Sequence, residues 1–241
     1  MSISISNLVL FDRPLEEIPD AKLLINTINA HSFNTAKKDL IFSEAIRNSD
    51  VLLPDGVSIV FAAKLIKGVT LKKIAGADLF FYEMNKLNQR SGTCFFLGSN
   101  EESLLLIRDR AKREYPNVKV FTFSPKFKPM FSEEENDEMI AEVNKRAPDV
   151  LFIGMTAPKQ EKWAYEHFDK LEVGHICCIG AVFDFYSMRI NRAPEKFIVL
   201  GLEWLFRLIK EPRRMWHRYL VGNPKFLFSI FKEKICYKKQ V

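Results

Sequence analysis

The sequence predicts an α/β protein in which a parallel β-sheet is covered by helices and followed by a basic helical segment. Short apolar runs alternate with longer amphipathic stretches along the first 190 residues, which is typical of βαβ units whose strands are buried on both faces. The length of 241 residues allows one large domain with a full hydrophobic core. From Asn191 onward the composition changes, and basic residues are interspersed with aromatic ones.

The first predicted unit of the sheet contains two strands and the helix between them. The apolar run Lys22–Ile28 is the first strand, and Asp39–Asn48 is an amphipathic helix. The next strand, Asp50–Leu53, ends at Pro54, because proline has no N–H group to donate to a neighbouring strand.

The same alternation continues through the rest of the predicted sheet. The remaining elements are strand Thr93–Leu97, a helix from Asn100 to Glu114, strand Val118–Phe123, a helix from Ser132 to Arg146, and strands Val150–Ile153 and His175–Ile179. In such sheets ligands bind at the carboxyl ends of the strands. The loops that we expect to form the site are therefore Asn29–Asn34, Pro54–Ser58, Gly98–Glu101, Gly154–Gln160 and Gly180–Arg192.

The C-terminal segment carries the excess positive charge of the chain. Residues 191–241 contain 12 Lys and Arg against 4 Asp and Glu, whereas the preceding 190 residues carry a net charge of −2. Three short amphipathic helices, interrupted at Pro212 and Pro224, are predicted, and their composition is typical of an element in a membrane interface. Such a charge asymmetry indicates a polyanionic partner, which is nucleic acid, an anionic membrane surface or a phosphorylated ligand. We expect residues 1–195 to form an α/β core that folds alone, and residues 196–241 to form a basic appendage that contacts this partner.

Composition and residue spacing exclude several other classes. With 47% hydrophobic and 27% charged residues, the chain is not a disordered protein. The four cysteines have no paired spacing and the four histidines are scattered, so we expect neither a disulfide framework nor a metal site. No signal peptide and no apolar run of about 20 residues occurs. The expectation is a protein of the reducing cytoplasm, soluble or peripheral to the membrane.

Asp55 is the most distinct candidate for a catalytic residue. It follows a buried strand in the turn Pro54-Asp55-Gly56, from which a carboxylate can project into a cleft and act as a general base. The alternative is that Pro-Asp-Gly is simply a stable turn in which the aspartate bonds its own backbone. Spacing alone favours the turn.

Two further strand ends carry residues that can bind a phosphate, a ribose or a base edge. Pro158 begins a predicted helix whose N–H groups can hold a phosphate, and Lys159 and Gln160 add charge and hydrogen bonds. The alternative is an ordinary strand-to-helix junction. Asp184, between two phenylalanines, suits a ribose or base edge but equally suits a helix cap. Neither the dinucleotide fingerprint GxGxxG nor the P-loop pattern GxxxxGK[ST] occurs.

Small polar residues and arginines complete the candidates. Thr27, Asn29 and His31 suit substrate hydroxyls, although they equally satisfy backbone groups. The arginines that can clamp a diphosphate, or alternatively face solvent or membrane, are Arg207, Arg213, Arg214 and Arg218.

Seven segments, in chain order, resemble the WecG/TagA/CpsF family of bacterial glycosyltransferases, family 26. They read LLPDGVSIV, IAGADL, FFLGSN, APKQEKWAYEH, GAVFDF, NRAP and GLEWLFRLIKEPRRMWHRYLVGNP. The similarity extends from about Ile25 to Phe226, nearly the whole chain. PDG is weak by itself, but its combination with RAP and the long C-terminal run is highly specific.

The resemblance implies an inverting, metal-independent transfer of a sugar from a UDP-sugar to a polyprenyl-diphosphate-linked acceptor sugar, without a cofactor. It implies a Rossmann-like core and a basic appendage that reaches the cytoplasmic face of the membrane and closes over the site. Asp55 matches the family's catalytic base. The substrate-binding positions are Thr27 and Asn29 at the sugar, Gln160 and Asp184 at the nucleotide sugar, the four C-terminal arginines at the diphosphate, and with them Gly98, Lys159 and Arg192.

Departures from the family pattern and rival classes leave parts of this prediction open. Met155, Thr156, Ser187, Met188 and Ser58 replace residues frequent in relatives and border the expected donor pocket, so the donor sugar is undetermined. The rivals are a nucleotide-sugar enzyme with a soluble acceptor, a nucleic-acid-binding module and a catalytically silent membrane scaffold. Long apolar runs between the basic residues argue against nucleic acid. The oligomeric state is open, with a homo-oligomer among the alternatives.

Overall fold

The computed structural model describes residues 3–238 and confirms the α/β class with a parallel sheet and a helical C-terminal region. A short antiparallel hairpin is formed by β1 (Ile3–Ile5) and β2 (Leu8–Leu10). The strands of the main sheet are β3 (Leu23–Ile28), β4 (Val51–Pro54), β5 (Thr93–Gly98), β6 (Lys119–Phe123), β7 (Val150–Gly154) and β8 (His175–Cys178). They are all parallel, in the order β4-β3-β8-β7-β5-β6.

Helices connect the strands and continue beyond the sheet. Those that follow the order of the sheet are α1 (Ala30–Ala36), α2 (Leu40–Arg47), α3 (Val57–Lys67), α4 (Gly76–Arg90), α5 (Glu101–Glu114), α6 (Glu133–Asn144), α7 (Lys159–Glu166) and α8 (Val182–Tyr186). The C-terminal ones are α9 (Glu195–Val199), α10 (Glu203–Lys210), α11 (Pro212–Trp216), a π-helical turn (His217–Val221) and α12 (Gly222–Lys238). Asn100 and Ser132 cap α5 and α6 with their side-chain oxygens, as side chains of this type do at helix starts.

Apolar side chains cover both faces of the sheet. On one face Phe96 and Phe152 have ring centroids 5.1 Å apart, and Phe80 of α4 lies 5.2 Å from Phe152. On the other face Phe95 and Leu151 are packed among residues of α6 and α7. The alternation along the strands therefore points successive residues to opposite layers, and much of the phenylalanine content lies in this core.

The connections leaving β5 and β7 diverge. β6 lies beyond β5 and β8 lies beyond β7, although β5 and β7 are neighbours. A crevice opens where such connections part, at the carboxyl ends of the strands. Gly98 and Gly154 face each other there, and a Cβ at Gly98 would lie 2.5 Å from the Gly154 oxygen. The close approach of the two backbones explains why position 98 is glycine.

The last helix, α12, belongs to the hydrophobic core. Phe226 and Ile230 are fully buried against α1 and α3. The Phe226 ring stands edge-on to Phe33 at 5.0 Å, and Asn34 Nδ2 donates a hydrogen bond to the Gly222 oxygen at 2.8 Å. This packing argues against the expectation that residues 1–195 fold alone.

The expected break at Pro224 is wrong. Helical structure continues from Pro212 through the π-helical turn to Lys238. Pro224 lies in the first turn of α12, where a proline can be accommodated because the missing N–H group need not bond within that helix. The expected break at Pro212 is confirmed, because α10 ends at Lys210 and Pro212 begins α11. Residues 239–241 of the predicted appendage lie outside the described residues.

Three cysteines are buried free thiols, as their apolar neighbours predict. Cys94, Cys177 and Cys178 are buried, and burial raises the pKa of each thiol. Among residues 3–238, no helix has the length and apolar content required to cross a membrane.

Candidate active site

The candidate site lies at the carboxyl end of the sheet, beside β3 and β4. Asp55 directly follows β4, and its N–H donates to the Ile28 oxygen at 2.9 Å, which holds the turn against β3. Gly56 then adopts a φ of +92° before α3 begins, a conformation that favours glycine. The turn interpretation and the catalytic interpretation of Asp55 are therefore compatible, because the turn leaves its half-buried carboxylate facing α1.

Asn29 connects the start of α1 to Asp55. Its Oδ1 accepts hydrogen bonds from the N–H groups of His31 and Ser32, at 3.0 and 3.1 Å, and so caps the helix. This fixes the amide orientation, and Nδ2 donates to Asp55 Oδ2 at 3.4 Å. Thr27 lies two residues earlier, half-buried and in register with Leu53 of β4. Asn29 thus satisfies the backbone and also reaches the carboxylate.

The surroundings of Asp55 favour its protonated form. Burial raises the pKa of the carboxyl, and the charge of Glu203 raises it further. The hydrogen bond from Asn29 and the charges of Lys73 and Arg218 oppose the shift. A raised pKa makes a carboxylate a stronger base near neutral pH.

A series of ion pairs connects Glu203, at the start of α10, to core residues near Asp55. Glu203 Oε2 lies 3.7 Å from Lys73 Nζ, and Glu203 Oε1 lies 3.9 Å from Arg192 Nε. Arg192 also pairs with Asp78 at 3.6 Å. The C-terminal segment is therefore held over the site from its first helical turns, and Arg192 lies at that junction.

Buried arginine nitrogens without an acceptor mark the same region. Arg192, Arg207 and Arg218 each bury an Nε that has no hydrogen-bond partner among the described residues. Burial lowers the pKa of Arg218, and the charges of Arg207 and Arg214 add to the effect. A buried N–H group without an acceptor costs about 1–3 kcal/mol. The guanidinium groups of Arg207 and Arg218, which form no ion pair among residues 3–238, are therefore suited to an anion.

The other two predicted arginines are arranged differently. Arg214 Nη1 pairs with Glu211 at 2.8 Å on the exposed side of α11. Arg213 is exposed and has no ion pair within residues 3–238. Arg207 and Arg218 are therefore grouped, whereas Arg213 is not part of this group. Arg214 influences Arg218 and Asp184 through its charge.

Asp184 faces the arginines from α8. Burial raises the pKa of its half-buried carboxyl, while the charges of Arg214, Arg189 and Arg207 lower it. Arg207 also lies over the ring of the neighbouring Phe185, with Cζ 5.4 Å from the centroid. Asp184 is not the cap residue of α8, which is Ala181.

The start of α7 gives Lys159 and Gln160 separate environments. Lys159 Nζ donates to the Lys128 oxygen at 2.5 Å and lies 3.4 Å from the centroid of the Phe131 ring. Gln160 is buried, and its Nε2 donates to Glu161 Oε1 at 2.9 Å. Gln160 Oε1 has no partner among the described residues, whereas Lys159 is engaged by the chain itself.

A cavity of about 610 Å³ opens at the opposite, amino end of the sheet. Part of its charged lining is paired internally, since Arg90 contacts both Asp20 and Asp149. None of the predicted site residues lines it, and it is not a candidate for the catalytic site.

The sequence profile of the glycosyl transferase WecG/TagA/CpsF family matches residues 4–240. The chain belongs to this family. An N-acetylglucosaminyldiphosphoundecaprenol N-acetyl-beta-D-mannosaminyltransferase of Bacillus subtilis (strain 168) is 30% identical over 95% of this chain and 88% of its own length. Enzymes of the same name in Bacillus spizizenii and Staphylococcus aureus (strain MW2) are 28% and 25% identical, over 80% and 90% of this chain and 72% and 83% of their own lengths.

Membership of the WecG/TagA/CpsF family makes the chain a glycosyltransferase, which confirms the prediction at that level. Sequence reasoning missed three residues of the site region. Lys73 and Glu203 form an ion pair that spans the chain, and burial raises the pKa of Glu161 to about 7. Signals existed, because each lies in or directly beside a segment that carries the resemblance.

Proposed function

We propose that the chain transfers a hexose, with N-acetylmannosamine as the first candidate, from a UDP-sugar to a polyprenyl-diphosphate-linked acceptor sugar. The observation that carries the proposal is the grouping of the half-buried Asp55 with arginines whose Nε atoms have no hydrogen-bond acceptor among residues 3–238. The names of the relatives support the choice of acceptor and of first donor. The product would be an intermediate of a bacterial surface or wall polymer.

In this mechanism Asp55 is the general base. Its carboxylate takes the proton from the attacking hydroxyl of the acceptor sugar as the hydroxyl oxygen bonds to the anomeric carbon of the donor. The bond from that carbon to the diphosphate oxygen breaks on the opposite face, and its electron pair leaves with the nucleoside diphosphate. One such displacement inverts the configuration. Asn29 holds the base through its hydrogen bond to Oδ2.

The arginines are proposed to stabilise the leaving diphosphate. Charge develops on it as the bond breaks, and fixed cationic donors stabilise such charge without reorganisation. Arg218 interacts electrostatically with Asp55, while Arg207 has a buried nitrogen in need of an acceptor. We propose that this clamp replaces a metal ion, so that the reaction continues in EDTA.

Residues 196–241 are proposed to act as both lid and membrane anchor over the core of residues 1–195. The segment supplies Arg207 and Arg218 to the site and exposes several large apolar side chains. Among them are Val199, Leu200, Ile209, Trp216 and Leu220. Together with the basic charge, this exposure supports peripheral docking on the inner face of the cytoplasmic membrane.

Asp55→Asn tests the catalytic role. We expect turnover to fall to below about a tenth of wild type, because loss of a general base costs about 10²–10⁴-fold. Donor binding and unfolding midpoint should be nearly unchanged, since the amide is isosteric. Asp109→Asn, at an exposed position of α5, is the control for a lost surface charge. Turnover of Asp55→Asn above a tenth of wild type would move the base elsewhere.

A donor screen tests the substrate. UDP-sugars, with UDP-N-acetylmannosamine first, should be offered with a short-chain polyprenyl-diphosphate-N-acetylglucosamine acceptor, and products identified by mass and anomeric configuration. The alternative function, a nucleotide-sugar enzyme with a soluble acceptor, predicts turnover with free sugars and no need for the lipid diphosphate. Retention of the donor's configuration would contradict the single displacement.

A further inference from the structure

The loop between β6 and α6, residues 124–132, exposes two large apolar side chains. Phe127 is fully exposed and Met130 is 82% exposed. Single apolar residues on a surface are common. Here the two stand three residues apart at the tip of one short loop, on either side of Lys128.

The exposure of Phe127 and Met130 does not come from a loosely held loop. At one end of the 124–132 loop, Ser124 Oγ donates to the Ser99 oxygen at 3.0 Å. In its middle, the Lys128 oxygen accepts from Lys159 Nζ at 2.5 Å, and the same ammonium group lies 3.4 Å from the centroid of the Phe131 ring. Pro125 and Pro129 restrict the backbone further. The loop is thus tied at several points while its apolar tip faces outward.

The charged side chains of the 124–132 loop are all positive. Residues 124–132 contain two lysines and no acidic residue. Lys128 forms an ion pair with Glu135 of α6, whereas Lys126 is exposed and makes no ion pair within residues 3–238. Exposed apolar side chains next to an unpaired lysine match a surface that is anionic outside and apolar beneath, which describes a bilayer with acidic lipids.

The loop lies on the same edge of the sheet as Asp55. It follows the carboxyl end of β6, and Asp55 follows the carboxyl end of β4, at the two sides of the six-stranded sheet. Five strand spacings of about 4.8 Å separate these sides by roughly 24 Å. The C-terminal segment covers the β4 side, where α12 packs on α1 and α3, so the loop and that segment flank the site.

We propose that the 124–132 loop is a second membrane contact, which inserts Phe127 and Met130 into the interface of an anionic bilayer. The proposal rests on the proposed function for the membrane as the place of the acceptor. It adds that docking occurs at both sides of the site. Two contacts on opposite sides of the site fix the angle between the bilayer and the edge of the sheet that carries Asp55. A single anchor leaves this angle free.

Vesicle binding of full-length variants tests the loop without reference to catalysis. Phe127→Ser/Met130→Ser should bind phosphatidylglycerol-containing vesicles at least tenfold more weakly than wild type. Lys126→Glu should weaken binding to these vesicles but not to neutral phosphatidylcholine vesicles. The control is Val9→Ser, because Val9 is also an exposed apolar residue, at 58%, but lines a cavity with Asp50, which precedes β4 at the opposite, amino end of the sheet. It should bind as wild type does.

Turnover and sedimentation separate the remaining outcomes. The double variant should lose turnover on an acceptor embedded in vesicles and keep turnover on a water-soluble short-chain acceptor. Unchanged vesicle binding by the double variant overturns the loop contact. So does a shift in its sedimentation coefficient with unchanged vesicle binding, which would make the loop a protein interface. Failure of wild type on every lipid-linked acceptor refutes the proposed function instead, while the vesicle result still decides the loop.

Discussion

Phe226 tests whether the C-terminal helix is part of the core or a detachable appendage. Phe226→Ala removes a ring that is fully buried and packed edge-on against Phe33 at 5.0 Å. Truncation of a buried phenylalanine costs about 3–5 kcal/mol, because apolar contacts are lost and a cavity remains. A domain of this kind is stable by about 5–15 kcal/mol in total. The variant should therefore lose a large part of its stability.

The measurement is urea unfolding followed by circular dichroism and tryptophan fluorescence. With an m-value of about 3 kcal/mol/M, the expected loss lowers the midpoint by about 1 M or more. Phe228→Ala is the matched control, since Phe228 lies two residues further along α12 and is 74% exposed. Its cost should stay within about 0.5 kcal/mol.

Equal and small effects of the two substitutions would refute the reasoning. So would unchanged global unfolding of Phe226→Ala combined with rapid tryptic cleavage before α12, because this would mean that the helix undocks alone. If the prediction holds, truncation near Pro194 yields an unstable protein, and a loss of its activity cannot be assigned to the missing arginines.

The remaining predictions concern charge. Arg218→Ala should lower turnover at least tenfold, whereas Arg213→Ala, which removes an exposed guanidinium without an ion pair among the described residues, should stay within about twofold; equal losses would contradict the clamp. EDTA should leave turnover unchanged, and a loss restored by Mg²⁺ or Mn²⁺ would contradict the metal-free reaction. Burial raises the pKa of Glu161 to about 7, against 4.5 for a free glutamate. Between these two pH values the folded state binds more protons than the unfolded state. The free energy of unfolding should therefore fall by about 3 kcal/mol as the pH rises from 4.5 to 7. Glu161→Gln should flatten this part of the pH dependence of the unfolding free energy, and an unchanged slope would show that another group titrates.

The strands and the turn at Asp55 were predictable because their signals are local. Buried strands appear as short apolar runs, and the helix caps Asn100 and Ser132 stand directly before the residues they cap. The helices α1, α3 and α4 were missed, and the expected loop Asn29–Asn34 is helical from Ala30 onward. Three of the first four residues of α3, VSIVFAAKLIK, are β-branched, and the sequence has little contrast between polar and apolar positions. Its periodicity therefore does not distinguish a helix from a buried strand.

Contacts between residues that are far apart in the sequence were not predictable. Glu203 meets Lys73 only after the chain has completed the sheet and returned. The burial of Phe226 likewise depends on Phe33, and composition alone assigned its segment to a membrane surface. Asn29 shows the intermediate case, because its role in satisfying backbone groups was visible in the sequence, whereas its hydrogen bond to Asp55 joins two separate strand ends and was not predicted.

The two roles of Asn29 restrict which residues position 29 can accept. A helix start alone tolerates Asn, Asp, Ser or Thr in similar measure. Aspartate would keep the cap, but it would put a second negative charge beside Asp55 in place of a donor. Serine and threonine would keep the cap with a hydroxyl one bond shorter than the amide that now reaches Oδ2 at 3.4 Å. Saturation mutagenesis at this position should therefore yield several well-folded proteins but a single fully active one.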